Sequence, residues 1–229
     1  MLTQVLWRFR IVFSKGAELK YISHLDLVRA WQRTLRRADV ALAHSQGFSP
    51  HPKMFFASAL PVGVTGRSEM LDVLLERSIQ AYELAARLKT QLPCGMRVVS
   101  VAEIALAAPV LPAQVVAAEY EAEVAAATSS EDVQSRLDQL LVAVRLPRRL
   151  QRDGKIRDYD LRPLVQRLWL AGRRGDAYVI AMRLQADAHG TGRPDEVLSA
   201  LGFAGQVRAI ERTRLLLLTN GVAAPSHPR

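Results

Sequence analysis

The fold of this chain is decided by residues 7–38, which read WRFRIVFSKGAELKYISHLDLVRAWQRTLRRA. Large apolar residues stand at every second position from Trp7 to Phe13, which is the period of a β-strand. Ser23 then predicts a helix start, because its side chain can cap the first turn and Asp26 occupies the third position of a capping box. The residues of this helix that recur at helical spacing are expected to face the core: Val28, Trp31, Leu35 and Ala38.

The rest of the first half predicts two strands, a helix and a closing strand. The two strands are expected at residues 54–61 and 70–76, separated by the turn-prone GVTG sequence at residues 63–66. The helix is expected to begin near Ser78, and the closing strand to occupy residues 96–104. The order of elements is therefore β-α-β-β-α-β.

The second half predicts the same order again. Its expected strands and helices lie at residues 118–124, 130–144, 159–170, 177–185, 194–202 and 207–218. Two successive units of this kind predict an α+β fold of two tandem ferredoxin-like (β-α-β-β-α-β) domains. The expected boundaries are residues 1–108 for the N-terminal domain, 109–115 for a linker, 116–219 for the C-terminal domain and 220–229 for a disordered tail.

Charge and composition predict a soluble cytoplasmic protein with an anionic partner. The formal net charge is +9, and the basic residues are concentrated in two regions. Residues 1–53 carry nine Lys or Arg against three acids, and residues 145–174 carry ten against three. Such concentration of positive charge in two regions is typical of a surface that binds a polyanion. The alternative is that the protein is simply basic, with no anionic partner. The sequence shows no secretory leader and no apolar run of about 20 residues, and its lone Cys94 excludes a disulfide framework.

Familiar catalytic and cofactor motifs are absent from the sequence. It contains no P-loop, no G-x-G-x-x-G after a strand, no G-x-S-x-G and no H-E-x-x-H. A single cysteine cannot hold the iron–sulfur cluster of a radical SAM enzyme, which needs three closely spaced cysteines. We therefore expect no cofactor and no metal, and a chain that is not an enzyme on its own.

The first candidate site is a row of arginines on the predicted helix. These residues lie at positions i, i+4, i+7 and i+8, on the side opposite the expected core face: Arg29, Arg33, Arg36 and Arg37. Guanidinium groups spaced in this way can each contact a phosphate. An ordinary solvated helix face would usually include acids, and none lies between Leu27 and Ala38.

The second candidate is the loop HSQGFSPHPK at residues 44–53. Its side chains favour hydrogen bonding and stacking over packing, and two prolines stiffen the backbone around one histidine. We expect four of them to contact RNA: Gln46, Phe48, His51 and Lys53. A rigid structural turn is the alternative interpretation.

Three histidines are candidate acid–base or metal-ligating residues: His24, His44 and His51. Metal-independent RNA cleavage by a pair of them is one hypothesis. No nearby carboxylate completes a recognisable ligand set, so a metal site is disfavoured.

The third candidate lies in the second half, around the hairpin-type turn Asp153-Gly154. Three basic residues flank this turn and are expected to contact an RNA backbone: Arg152, Lys155 and Arg157. The alternative is a structural ladder in which Asp158 and Asp160 pair with neighbouring arginines.

These motifs together resemble the radical SAM-associated protein family. The resemblance rests on SKG at residues 14–16, YISHLDL at 21–27, LRRA at 35–38 and SQGFSPHPK at 45–53. A weaker likeness lies in DYDLRP at residues 158–163. Members of this family are encoded beside, or fused to, cobalamin-binding radical SAM proteins. The resemblance implies an association with such a protein and does not imply a reaction.

The leading hypothesis is therefore an RNA-binding accessory protein that works with a radical SAM enzyme in RNA modification, with tRNA and rRNA as the candidate substrates. One alternative is a metal-independent endoribonuclease that uses His24, His44 or His51. Another is a protein-binding adaptor of the radical SAM partner that makes no contact with RNA.

Overall fold

The computed structural model describes residues 5–125, 127–152 and 155–218. Within these residues it contains five α-helices: α1 (His24–Arg37), α2 (Ala81–Lys89), α3 (Leu111–Gln114), α4 (Ser130–Val142) and α5 (Pro194–Ala200). The strands of the first half are β1 (Trp7–Lys15), β2 (Met54–Phe56), β3 (Thr65–Leu75) and β4 (Met96–Ile104). Those of the second half are β5 (Val115–Val124), β6 (Pro147–Arg152), β7 (Lys155–Asp160), β8 (Val165–Arg174), β9 (Ala177–Asp187), β10 (Gly190–Thr191) and β11 (Val207–Leu217).

Nine of these strands form one large, mostly antiparallel sheet, and β6 and β7 form a separate hairpin. In the first half the antiparallel order is β4-β1-β3-β2, and in the second half it is β8-β9-β5-β11. The halves meet where β11 runs parallel to β3, with Glu211 opposite Thr65 and Arg212 opposite Gly66. The chain is therefore a mixed α/β protein built on a single extended sheet.

Helix α1 begins and ends where local chemistry requires it. The Ser23 hydroxyl accepts a hydrogen bond from the Asp26 amide at 3.1 Å, which satisfies one of the free N–H groups of the first turn. At the other end, Asp39 adopts a positive φ of 53° and turns the chain away from the helix. The capping prediction is confirmed.

The described residues form two hydrophobic cores, and Ala57, Leu60 and Val64 of the first half belong to the core of the second. In the first half, α1 and α2 pack on the face of the sheet that carries Phe9, Ile11 and Phe13. Trp31 and Leu35 are fully buried there, whereas Val28, expected to face the core, is only half-buried. In the second half, the core is built by the alternate apolar residues of β5 and β9 together with α4 and α5: Tyr120, Ala122, Tyr178, Ile180, Met182, Leu184, Val133, Leu137, Val197 and Leu198.

Two strand predictions are wrong in their extent. The strand expected at residues 54–61 is only β2, and the strand expected at 159–170 is divided into β7 and β8. A 3-10 turn at Arg162–Leu164 makes this division, because Pro163 has no N–H for a continuous ladder. The Arg162 guanidinium fixes the turn by donating to the carbonyls of Leu141 and Val165, at 2.7 and 2.8 Å.

The segment between the halves lies against the sheet. The Arg8 guanidinium donates to the carbonyls of Ala108 and Pro109, at 2.6 and 2.9 Å, and also to the buried carboxylate of Asp72. Leu111 of α3 is fully buried in the core of the second half. No helix in the described part of the chain is long and apolar enough to cross a membrane.

Candidate nucleic-acid interface

An open groove of about 710 Å³ lies between α1 and the segment that follows it. One wall is formed by α1 and the other by residues 39–44 and 51–52. Five of the residues predicted as site residues line this groove: Arg29, Arg33, Arg36, His44 and His51. The fold thus brings most of the arginine row together with two of the three candidate histidines.

The α1 wall is cationic because its buried and exposed faces are separated. Trp31 and Leu35 point into the core, so the residues at the opposite spacing remain exposed. Arg29 pairs with Asp26 at 3.1 Å, and both side chains are about half exposed. Among the described residues, Arg33 and Arg36 have no carboxylate within 4.0 Å, so their guanidinium groups are free to bind an anion.

Most other arginines of the described chain are already paired. On the sheet, Glu119 binds Arg183 at 2.7 Å and also Arg214, and Arg67 bridges Glu121 and Glu211. Such pairs leave little positive charge available to a ligand. What the groove offers is two unpaired arginines, Arg33 and Arg36, side by side on one wall and facing two histidines on the other.

The second wall is anchored to the edge of the sheet. The Ala43 amide donates to the Leu74 carbonyl and the Lys53 amide donates to the Ala43 carbonyl, both at 2.8 Å. An isolated antiparallel β-bridge also joins His44 to Pro52, so the backbone segments before and after the loop lie side by side. His44 and His51 therefore stand at the two ends of one short loop, and hydrogen bonds to the sheet fix the backbone at both ends.

That loop, residues 45–50, is closed at its base and projects its tip into solvent. The Ser45 amide donates to the His51 carbonyl at 2.9 Å, and the His51 amide donates to the Ser45 hydroxyl oxygen at 3.0 Å. Gly47 adopts a φ of 127°, which residues other than glycine rarely adopt. Phe48 and Gln46 are exposed and do not line the groove itself.

Three further predicted residues lie outside the groove. Arg37 is exposed and Lys53 is half-buried, and neither lines the cavity. His24 lies at the start of α1, with its ring edge-on to Phe56 at 5.2 Å. Burial, and secondly the charge of Arg212, lower the pKa of His24. The structure therefore separates His24 from His44 and His51.

The predicted basic hairpin is formed by β6 and β7, but the side chains of its three predicted RNA-binding residues, Arg152, Lys155 and Arg157, are not described. The turn residues Asp153 and Gly154 lie outside the described residues. The base of the hairpin is joined to the second half, since Arg148 lies 3.7 Å from Glu196 of α5. Asp158 pairs with Arg149 at 2.9 Å, and Asp160 accepts the amides of Leu146 and Arg162.

A buried charged cluster joins the two halves and was not predicted from the sequence. The guanidinium of Arg212, on β11, binds the carboxylate of Glu69, on β3, through two hydrogen bonds, one of them 2.9 Å long. It also donates to the carbonyls of Ser58 and Ala59, each at 3.1 Å. Burial lowers the pKa of Arg212, but the Glu69 carboxylate outweighs this effect and raises it.

Lys15 and Tyr120 surround this cluster. Burial lowers the pKa of Lys15, partly offset by Glu69, and burial raises the pKa of Tyr120. Arg212 and Glu69 are 143 residues apart, so no local pattern indicates that they meet. The described residues contain no group of three His, Cys, Asp or Glu side chains placed to hold a metal ion.

Comparison with known proteins places the chain in a family. Residues 8–194 match the model of the family described as "Uncharacterized protein conserved in bacteria (DUF2344)". Because the match covers most of the 229 residues, the chain belongs to this family. No curated protein matches the chain.

Several solved structures share part of the backbone arrangement. One is a Cbf5-Nop10-Gar1 complex, with 12% identity, a TM-score of 0.48, and coverage of 90% of this chain and 48% of that chain. Another is the archaeal box H/ACA sRNP Nop10-Cbf5 complex, with 14% identity, a TM-score of 0.44, and coverage of 92% and 48%. A third is an H/ACA RNP bound to a substrate RNA containing 2'-deoxyuridine, with 10% identity, a TM-score of 0.45, and coverage of 90% and 47%. The chain thus spans about half the length of the chains it matches.

Proposed function

We propose that this member of the DUF2344 family binds RNA through the groove between α1 and residues 39–52. The observation that carries the proposal is the convergence of Arg29, Arg33 and Arg36 with two histidines from a separate segment. Two of the three arginines have no carboxylate partner among the described residues. The groove therefore offers unpaired cations to a ligand that carries several phosphates.

Arginine suits this role because its planar guanidinium can donate two hydrogen bonds to one phosphate. Successive arginines of the row are about 6 and 4.5 Å apart along the helix axis, so one strand can contact more than one of them. His44 and His51 supply ring nitrogens on the opposite wall, which can donate to phosphate or base oxygens. Asp39 also lines the groove, but its single negative charge is outnumbered by the three arginines, so the lining is net positive.

The test is the salt dependence of RNA binding. For a single strand, each phosphate contact contributes about 0.7 to the slope of log affinity against log salt concentration. Replacing both Arg33 and Arg36 with glutamine should therefore flatten the slope by about 1.4 and weaken binding at low salt. Fluorescence anisotropy with a labelled single-stranded RNA measures both quantities.

A matched control removes the same charge elsewhere. Lys89 and Arg97 are exposed residues of α2 and β4 that do not line the groove. Their joint replacement with glutamine should leave the slope nearly unchanged. If the two double variants lose affinity equally, or if the protein shows no salt-dependent RNA binding, the groove is not the RNA site.

We also propose that the bound RNA is presented to a radical SAM enzyme for modification. This part rests on the sequence resemblance described above. The ratio of absorbance at about 260 and about 280 nm, read on the protein as purified, shows whether RNA accompanies it, and purification with the partner after nuclease treatment shows whether the two proteins bind without RNA. A complex that carries no RNA as purified and that survives nuclease would instead support an adaptor that contacts only protein.

Metal-independent RNA cleavage is a second candidate function, favoured by the presence of His44 and His51 on one groove. Incubation of labelled structured RNA with the protein and a chelator tests for it. Cleavage that is lost in His51→Ala but kept in His189→Ala, an exposed histidine of the second half, would establish it. Intact RNA under these conditions would leave binding as the function.

For the fold, we propose that each half is a ferredoxin-like unit, with the domain boundaries expected from the sequence. The antiparallel orders β4-β1-β3-β2 and β8-β9-β5-β11 support this interpretation, since each places the first strand of a half beside its last. Two hydrophobic cores, each built mainly from the residues of one half, support it further.

A further inference from the structure

We infer that the groove selects unpaired RNA, a single strand or the loop of a hairpin, and that Phe48 stacks on one of its bases. This inference rests on the proposed RNA-binding function and specifies the substrate class. It starts from a side chain that the fold leaves without any packing partner.

Phe48 is the most exposed large apolar residue of the described chain, with a relative exposure of 110%. The other five phenylalanines are buried or half-buried, including Phe9, Phe13 and Phe203 in the two cores. Because the ring buries no surface against the protein, its whole apolar surface is available to contact a ligand. Both of its faces are open to a planar partner.

The loop holds this ring close to the cations. His51 lines the groove and lies three residues after Phe48, so the two Cα atoms are at most about 11 Å apart. The loop base is closed by the two Ser45–His51 hydrogen bonds, and Pro50 restricts the backbone between the ring and the groove. An aromatic face is therefore presented beside a set of phosphate-binding groups at low entropic cost.

The chemistry that matches this arrangement is a nucleotide whose base is not stacked in a helix. Single-strand binders combine a cationic groove with exposed aromatic rings, and the stacking tolerates any base. A perfect RNA duplex offers the phosphates, but its bases are covered by their neighbours within the helix. The arginine row therefore accounts for affinity to any RNA, and Phe48 adds a preference for unpaired RNA.

The experiment compares three RNAs with equal numbers of phosphates: a single strand, a hairpin with an open loop, and a perfect duplex. Binding is measured for the wild type, Phe48→Ala, Phe48→Leu, Phe48→Trp and Tyr82→Ala, the last being another exposed aromatic residue, on α2. Because the Phe48 ring makes no packing contact, its replacement should leave the fold intact. Far-UV circular dichroism of each variant verifies this.

We expect Phe48→Ala to lose roughly 10- to 100-fold in affinity for the single strand and the hairpin, and to bind the duplex as the wild type does. Phe48→Leu should behave like the alanine variant, since it keeps an apolar side chain but has no stacking face. Phe48→Trp should retain the preference, Tyr82→Ala should have no effect, and the salt slope should be unchanged in all of them.

Two results would overturn the inference. If the wild type binds the duplex as tightly as the single strand, or Phe48→Ala weakens all three RNAs equally, the groove does not select unpaired RNA. The RNA-binding function still stands in that case if replacing Arg33 and Arg36 flattens the salt slope. Absence of salt-dependent binding to any of the three RNAs would overturn that function, and this inference with it.

Discussion

Replacing Arg212 with methionine should destabilise the protein strongly, because it leaves a buried carboxylate without its partner. The side chains of Arg212 and Glu69 are 1% and 4% exposed. Removing one member of such a buried pair typically costs about 3–5 kcal/mol. The carbonyls of Ser58 and Ala59 also lose donors at 3.1 Å, while the nearby ammonium group of Lys15 limits the penalty on Glu69. We therefore expect a loss of about 3–5 kcal/mol in the free energy of unfolding.

Urea denaturation, followed by the fluorescence of the three tryptophans, measures this loss. With a slope of about 1–3 kcal/mol per molar urea, the midpoint should fall by at least about 1 M. The double variant Glu69→Leu/Arg212→Met should regain most of the stability, because a well-packed apolar pair often replaces a buried ion pair without loss.

Arg214 provides the matched control, since it lies on the same strand and pairs with Glu119 but is 56% exposed. Its replacement with methionine should cost less than about 1 kcal/mol, as is typical of surface pairs. The reasoning is refuted if Arg212→Met costs no more than Arg214→Met, or if the double variant is as unstable as the single one.

Three further perturbations test other parts of the structure. Ser23→Ala should cost about 1 kcal/mol in thermal or urea unfolding, because the Asp26 amide loses its cap. Gly66→Ala should cost about 1–3 kcal/mol, since the new Cβ would lie 2.6 Å from Cγ of Glu69, whose carboxylate is held by Arg212 and cannot move away. The pKa of His24 is lowered in the folded state, so the unfolded chain binds a proton more readily and stability should fall as the pH drops below about 6.5. Between neutral and mildly acidic pH, the melting temperature of His24→Gln should fall less than that of the wild type. If both proteins lose the same amount, His24 is not the source of the pH dependence.

The parts of the fold that the sequence predicts are those governed by local patterns. The alternation from Trp7 to Phe13 and the Ser23 cap each act within a few residues, so β1 and α1 lie where they are expected. The division at Pro163 was available in the sequence, but apolar periodicity on both sides of it favoured one continuous strand. The core face of α1 was predicted correctly at Trp31, Leu35 and Ala38, which are buried, but Val28 is only half-buried because Leu27 and Ala30 pack more deeply.

The candidate site was predictable in part for the same reason. Helical spacing places Arg29, Arg33 and Arg36 on one face regardless of tertiary structure. The position of His51 opposite them depends on how residues 41–44 pair with the end of β3, and no local pattern encodes that pairing. His24 does not line the groove with His44 and His51, and the sequence could not show this, because the position of a residue along α1 does not reveal which end of the helix meets the groove.

The parallel pairing of β11 with β3 has a consequence for synthesis of the chain. The first half emerges from the ribosome long before residues 207–217, so any sheet that it forms in that interval has its edge at Thr65 and Gly66 still unpaired. Glu69 then has Lys15 nearby but not yet the guanidinium of Arg212. Arrival of β11 pairs this edge and supplies the guanidinium in one step, so a strand of the second half completes the sheet of the first.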